Sequence, residues 1–388
     1  MPLQQPENLQ CSMPRKNKTC LVIAQSGRAL AQSARASGRP AHVIDCFADE
    51  DTASAALSCE VVSGDDGGFR VDDLLEKLAF FNRKPLQGII YGSGLEGHYE
   101  VLDILRQHWT LFGNEASVVR SCKEPALFFS MMTRLGIPHP STCITQPMGN
   151  SRHHNWLIKK IGASGGGHIR AFAADAPADP QYYFQKKLTG RSLSVVFLAD
   201  TLHATIVGLN EIWTVDPGKD DFRYSGAATH PDLPETTTRA LEDMVCILVR
   251  ELGLQGLCGM DVVLDENGQS HVLEINPRPP ATFELHQNQQ NLYEAHIQAC
   301  QGQLTTYTTV SPLLRAHQVW YADRDFIVPD TPWPDWISDR PRSGRMLRTG
   351  APICVVHAEA ACKNDLRMLL ERRYAEIRAL LGLRQLAA

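Results

Sequence analysis

Short apolar runs alternate with amphipathic segments through the first third of the chain. Thr19–Ala24, His42–Phe47 and Gly88–Tyr91 read as strands, while Ala29–Ser37 and Val71–Phe80 read as helices. Strands alternating with helices predict a parallel α/β layer to about residue 115. Beyond residue 120 the pattern changes. Lys123–Arg134 reads as a helix stopped by Leu135–Pro140, and Trp156–Ile161, Tyr182–Lys187 and Leu193–Ala199 read as strands. In Pro234–Leu252, Leu241, Met244, Val245, Leu248, Val249 and Leu252 share one helical face and are expected to be core. A region from about 311 is rich in Pro and Trp and ends in the helical Asn364–Leu380; residues 1–18 read as a loose polar tail.

Composition narrows the partners. The chain has 388 residues and a net charge of −5 without a large basic block, which argues against a nucleic-acid backbone. No apolar run approaches the roughly 18 residues of a membrane span. The N-terminus lacks the apolar centre of a secretory signal. The 11 cysteines form no Cys-x-x-Cys pair, so reduced thiols in a cytoplasmic protein are expected rather than disulfides or a zinc framework.

The most informative stretch is Gly259–Arg278. Asn267-Gly268 between apolar runs signals a hairpin. With those two residues as the turn, Asp261 faces Glu274, and Glu274 and Asn276 leave the same face. Opposed carboxylates about 5 Å apart at Cβ destabilise a sheet, and a hard divalent cation removes the conflict. The competing reading is a solvated outer face. Arg278 follows two residues after Asn276, so a cation lies next to the acidic face. Upstream, Lys159 precedes the glycine-rich loop Gly162–Gly167, whose backbone N–H groups can lie over phosphates, although no Walker loop is present.

Gly92, Gly94 and Gly97 match a dinucleotide fingerprint, but one strand–helix unit too late. A plain turn, or a loop facing another domain's site, competes with that reading. His153-His154 reads as polar loop before it reads as a metal pair.

Taken together these residues resemble the ATP-grasp superfamily, over roughly residues 19 to 388. The motifs are Lys123 before a helix ending in LGIPHP, LIKK with GASGGGH, FQKKLTGRSLSVVF, GMDVVL and VLEINPRP. The nearest group is the ATP-dependent carboligases related to biotin carboxylase. The resemblance implies an α/β and α+β chain: a Rossmann-like pre-ATP-grasp domain (19–118), a two-lobed ATP-grasp domain (119–310) and a small β-rich domain (311–388). It implies ATP with Mg2+, or Mn2+, as cofactors. Lys123 and Lys159 would meet nucleotide phosphate, and Gly165, Gly166 and Gly167 would form the lid. Gln185 and Leu188 would sit at the adenine hinge, with Ser192 where a ribose-binding acid is common. Asp261, Glu274 and Asn276 would hold metal, and Arg278 would bind the substrate carboxylate or acyl phosphate. His168 would either touch phosphate or stay exposed. Gly94, Arg223, Tyr224 and Glu284 are candidate substrate contacts.

The activity implied is a carboxylate–amine ligase working through an acyl phosphate, in the biosynthesis of a small metabolite or one-carbon cofactor. The alternatives are a carboxylase of the purine or biotin-carboxylase type and an ATP-binding regulatory protein without turnover. Its partners would be small-molecule carboxylates and amines, with no nucleic acid and no membrane, and a homodimer as the assembly.

Overall fold

A computed structural model of the chain describes residues 19–65, 68–147, 155–172, 179–287, 290–307 and 311–382. The polar tail and His153-His154 lie outside the described residues.

The first layer is a five-stranded parallel sheet. Its order is Ser58–Val61, His42–Asp45, Cys20–Ile23, Gly88–Tyr91, Leu111–Phe112. The central strands Cys20–Ile23 and Gly88–Tyr91 are buried along their whole length, as continuous apolar strands covered on both faces must be. The loops at the C-terminal ends of these strands, around Gln25–Arg28 and Gly92–Gly97, turn toward the rest of the molecule.

Two antiparallel sheets follow. A four-stranded sheet contains Arg170–Ala171, Trp156–Lys160, Tyr182–Lys186 and Thr142–Cys143. An eight-stranded sheet runs Ser270–Asn276, Gln255–Leu264, Arg191–Asp200, Ala204–Asp216, Asp221–Thr229, Leu314–Tyr321, Pro352–Ala360, Ile337–Ser338. The strands after residue 311 thus continue this sheet while building a separate core around Trp320, Val356, Leu366 and Ile377.

Helix Glu235–Leu252 buries Leu241, Val245, Leu248, Val249 and Leu252 against the large sheet, with Met244 at the margin, as its periodicity predicts. Helix Leu292–Cys300 covers the opposite face and packs on Arg28–Ala36, so one core spans the parallel layer and the large sheet.

Two local expectations are corrected. The helix anticipated over Lys123–Arg134 is two helices, Ala116–Lys123 and Pro125–Arg134. Glu124 is extended because the ring of Pro125 clashes with a helical residue before it. The hairpin turn is not the two residues Asn267-Gly268. Asp265 pairs with Gln269 around three residues, and Gly268 takes the left-handed conformation (φ +78°) that closes such a turn. That choice shifts the register by one, and a bulge at Leu273 shifts it back, so Asp261 still pairs with Glu274.

Polar staples lock the layers together. Asn114 donates to the carbonyls of Gln255 (3.0 Å) and Pro277 (2.9 Å) and accepts from Gln255 N (2.9 Å). His296 accepts from Leu257 N at 2.8 Å, and its other nitrogen reaches the Phe112 carbonyl at 3.0 Å. Asn114→Ala leaves several buried backbone groups unpaired, and should lower unfolding stability by about 2 kcal/mol in urea titration. A loss under about 0.5 kcal/mol, the usual scatter of surface changes, would show that the staple carries nothing.

Candidate active site

The acidic hairpin is the floor of a cleft of about 890 Å³ between the three sheets. Asp261 and Glu274 stand opposite one another on adjacent strands. Asn276 donates to Asp261 at 2.9 Å. Lys123, the last residue of its helix, reaches Glu274 at 2.8 Å and Asn276 Oδ1 at 3.2 Å. Burial raises the pKa of both acids. For Glu274 the charges of Lys123, Lys159 and Arg278 outweigh burial, and its carboxyl is held down. For Asp261 burial and the facing Glu274 win, and its carboxyl is pushed up. Two carboxylates and an amide oxygen are hard donors, and the strain on Asp261 is what a divalent cation would relieve. These residues could therefore hold magnesium.

Arg278 is buried beside them. Its Nε donates to Glu96 at 2.8 Å, Nη2 to Asn276 Oδ1 at 3.3 Å and Nη1 to the Pro279 carbonyl at 3.2 Å. Three of its five N–H groups are engaged, leaving two for a bound anion. Glu96 is 1% exposed; burial raises its pKa, but Arg278 and Lys123 together hold it down. Its second oxygen accepts from Gly94 N at 2.6 Å. The Gly92–Gly97 loop thus holds an arginine in place. Of the readings open for it, the loop facing another domain's site describes its geometry.

The glycine-rich loop closes the cleft from above. Gly165 O accepts from Tyr224 N at 3.0 Å. Gly166 has φ +78°, and a Cβ there would lie 2.0 Å from the Phe222 carbonyl, so only glycine lets the loop dock. Lys159 lies buried in the wall with its pKa lowered by burial, against the pull of Glu274 and Asp261. His168 also lines the cleft. Burial pushes its pKa down to about 4, so it is neutral near pH 7 and brings no cationic charge to a phosphate.

Gln185, Leu188 and Ser192 line the same cleft, with Phe128, Phe129, Leu157 and Tyr183 supplying an apolar wall. Tyr224 and Glu284 line it too. Gly94, Gly167 and Arg223 do not. Arg223 is turned onto Asp221 (2.6 Å) and the Gly350 carbonyl (2.9 Å). Glu96, Arg28, His317 and Asp339 were not among the sequence candidates. Only Glu96 carried a local signal, the acid inside a glycine-rich loop after a strand.

Residues 123–282 match the family model described as an ATP-grasp domain. The whole architecture is similar to that of several solved enzymes. Rhizobium etli pyruvate carboxylase superposes with a TM-score of 0.71 at 13% identity over 92% of this chain, which spans 37% of that one. An L-amino acid ligase from Bacillus licheniformis gives 0.68 at 11% identity, over 94% of this chain and 98% of the other. The biotin carboxylase domain of Hydrogenobacter thermophilus 2-oxoglutarate carboxylase, a dimer with MgADP, ADP and bicarbonate, gives 0.66 at 14% identity over 95% and 90%. At these identities the likeness establishes the fold. A comparison with curated proteins gives no match.

Glu96→Gln strips the buried Arg278 of its counter-charge. Unfolding stability should fall by about 3 kcal/mol, read by urea denaturation. An unchanged midpoint would mean that the pair does not hold the loop.

Proposed function

We propose that the protein is an ATP- and magnesium-dependent ligase that joins a carboxylate to an amine through an acyl phosphate. The observation that carries this is the convergence of Asp261, Glu274 and Asn276 with Lys123, Lys159 and Arg278 in one cleft under a docked glycine loop. ATP lies between the sheets, adenine against the apolar wall near Gln185 and Leu188, ribose toward Ser192. Asp261, Glu274 and Asn276 hold the magnesium, which when bound offsets the negative charge of the β and γ phosphates. Lys159 and the amides of Gly165–Gly167 position the triphosphate, and Lys123 joins them when released from Glu274.

A substrate carboxylate oxygen attacks the γ-phosphorus, the bond to the β-phosphate oxygen breaks, and ADP leaves. The amine then attacks the acyl carbon and phosphate departs. Arg278 uses its two free N–H groups on the oxyanion. The docked lid keeps water from the acyl phosphate. Little covalent chemistry falls to the protein, and positioning with charge does the work.

The L-amino acid ligase likeness supports this reading. The carboxylase folds support a second one, in which bicarbonate is the carboxylate. A homodimer is the proposed assembly, as in the H. thermophilus domain, and light scattering should give twice the 43.0 kDa chain mass. No helix among the described residues is long and apolar enough to cross a membrane.

ADP formation should require magnesium and a carboxylate, and stop on chelation with EDTA. Across a panel of amino acids with and without amines, and with bicarbonate alone, the substrate that drives ADP release separates the two readings. ATP binding without turnover across the panel would mark a regulatory protein. Glu274→Gln should lower turnover by about 10²–10³-fold. Its melting temperature should change little, because the lost pairing with Lys123 is offset by relief of the repulsion with Asp261. Normal turnover in that variant would refute the metal role.

A further inference from the structure

A second polar cluster lines the same cleft. Tyr224, His317 and Glu284 form a continuous chain. Glu284 Oε1 meets His317 Nδ1 at 2.7 Å, and Tyr224 Oη meets His317 Nε2. A carboxylate only accepts, so Nδ1 carries the proton. In the neutral ring Nε2 then accepts from the phenol. Arg28 holds the other oxygen of Glu284 and makes a double contact with Asp339 (3.2 Å at Nε and at Nη2). The cluster draws on four separate parts of the chain: the first turn of the parallel layer, the segment after Arg278, and two strands of the large sheet.

Glu284, His317 and His357 have ligand atoms within 4.8 Å of one another, a spacing that suits a metal. Their hydrogen bonds argue otherwise. Both Glu284 oxygens, both His317 nitrogens and His357 Nε2 (2.6 Å from Ser338 Oγ) already have protein partners, and a guanidinium sits where a cation would have to come. What remains open is the Tyr224 oxygen, on the cleft wall, with lone pairs free to accept. Tyr224 is also tied to the lid through its N–H to Gly165 O. The chamber holds two acids, Glu284 and Asp339, against one fixed cation, Arg28.

Resting on the ligase reading, we infer that Tyr224, His317 and Glu284 form the proton relay of the amine half-reaction, in a chamber whose negative balance selects a cationic primary amine as acceptor. The incoming R–NH3+ passes a proton to the Tyr224 oxygen as the phenolic proton moves to His317 Nε2. The imidazolium is held by Glu284. The freed nitrogen lone pair forms the C–N bond at the acyl carbon, and the C–O bond to phosphate breaks with its electron pair leaving on phosphate. The second amine proton leaves with that phosphate, and the relay returns the first to solvent. Glu284 is a positioning residue: Arg28, His357 and His317 hold it ionised against burial. The groups facing His317 are Glu284, Arg28, Asp339, Tyr224, His286 and the edge-on ring of His357, whose centroid is 6.0 Å away. Burial raises the phenol's pKa, and the charges of Glu284 and Asp261 raise it further.

Hydroxylamine separates the half-reactions, because it attacks an acyl phosphate without first losing a proton at neutral pH. The wild-type protein is assayed with ATP, magnesium and each of the twenty amino acids as carboxylate. Products are the hydroxamate with hydroxylamine and the amide with a panel of amino acids as amines. At neutral pH amide formation should depend on the relay residues, and hydroxamate formation should not. In His317→Asn the ratio of amide to hydroxamate should fall by about 10²-fold or more. Tyr224→Phe should lower the same ratio while keeping the packing. A folding defect lowers both products together and leaves the ratio alone. If hydroxamate forms and the variants keep the wild-type ratio, the relay is overturned and the ligase reading stands. If no carboxylate yields hydroxamate or ADP, the ligase reading fails, and the relay with it. Zinc retained by the purified protein and lost in His357→Ala would also overturn the relay.

Discussion

The rest of the site depends on the opposition of Asp261 and Glu274 across neighbouring strands. Like charges in that position repel, and neither side chain can turn away without breaking the strand register. The molecule answers with cations from elsewhere in the chain. Lys123 arrives 151 residues before its partner Glu274, from a helix end. Lys159 comes from the small sheet, and Arg278 from just past the hairpin. With Glu96 this makes three acids and three cations in one partly closed volume, balanced before any nucleotide or metal enters. Such a network is costly to assemble, and removing Glu96 leaves the buried guanidinium of Arg278 without its counter-charge.

This balance gives the parallel α/β layer a part in the site. Loops at the C-terminal ends of parallel strands are where such a layer presents groups to ligands. Here they present counter-charges: Glu96 to Arg278, and Arg28 to Glu284 and Asp339. The layer is held in register by Asn114 and His296, so the loops and the hairpin act as one wall. A shift between layers of the order of an ångström would lengthen the Arg278–Glu96 contact, and the arginine would lose its orientation.

The lid connects the two ends of the cleft. Gly165 and Gly166 dock on Phe222 and Tyr224, the strand that also carries the phenol of the distal cluster. On the proposed reading, covering the phosphates and ordering the acceptor chamber would use the same backbone contacts. The apolar wall, the charged floor and the polar cluster line a single cleft.

The hairpin was legible because its information is local. The alternation of side chains puts Glu274 and Asn276 on one face whatever the turn, and the Asn-Gly pair marks the turn to within a residue. The register came out as expected only because the three-residue turn and the bulge at Leu273 cancel, which no periodicity reveals. The broken helix at Glu124-Pro125 had a readable cause in the proline, whose steric demand overrides an apolar pattern. By itself the sequence determined the elements, the shared face of the acids and the presence of a glycine-rich loop, because these follow from chemistry within a few residues. Tertiary structure alone decided that Glu96 meets Arg278, that Lys123 rests on Glu274 and that His317 joins Tyr224 to Glu284. Those partners lie 182, 151, 93 and 33 residues apart, and only the packing of separate layers fixes which charges are desolvated together.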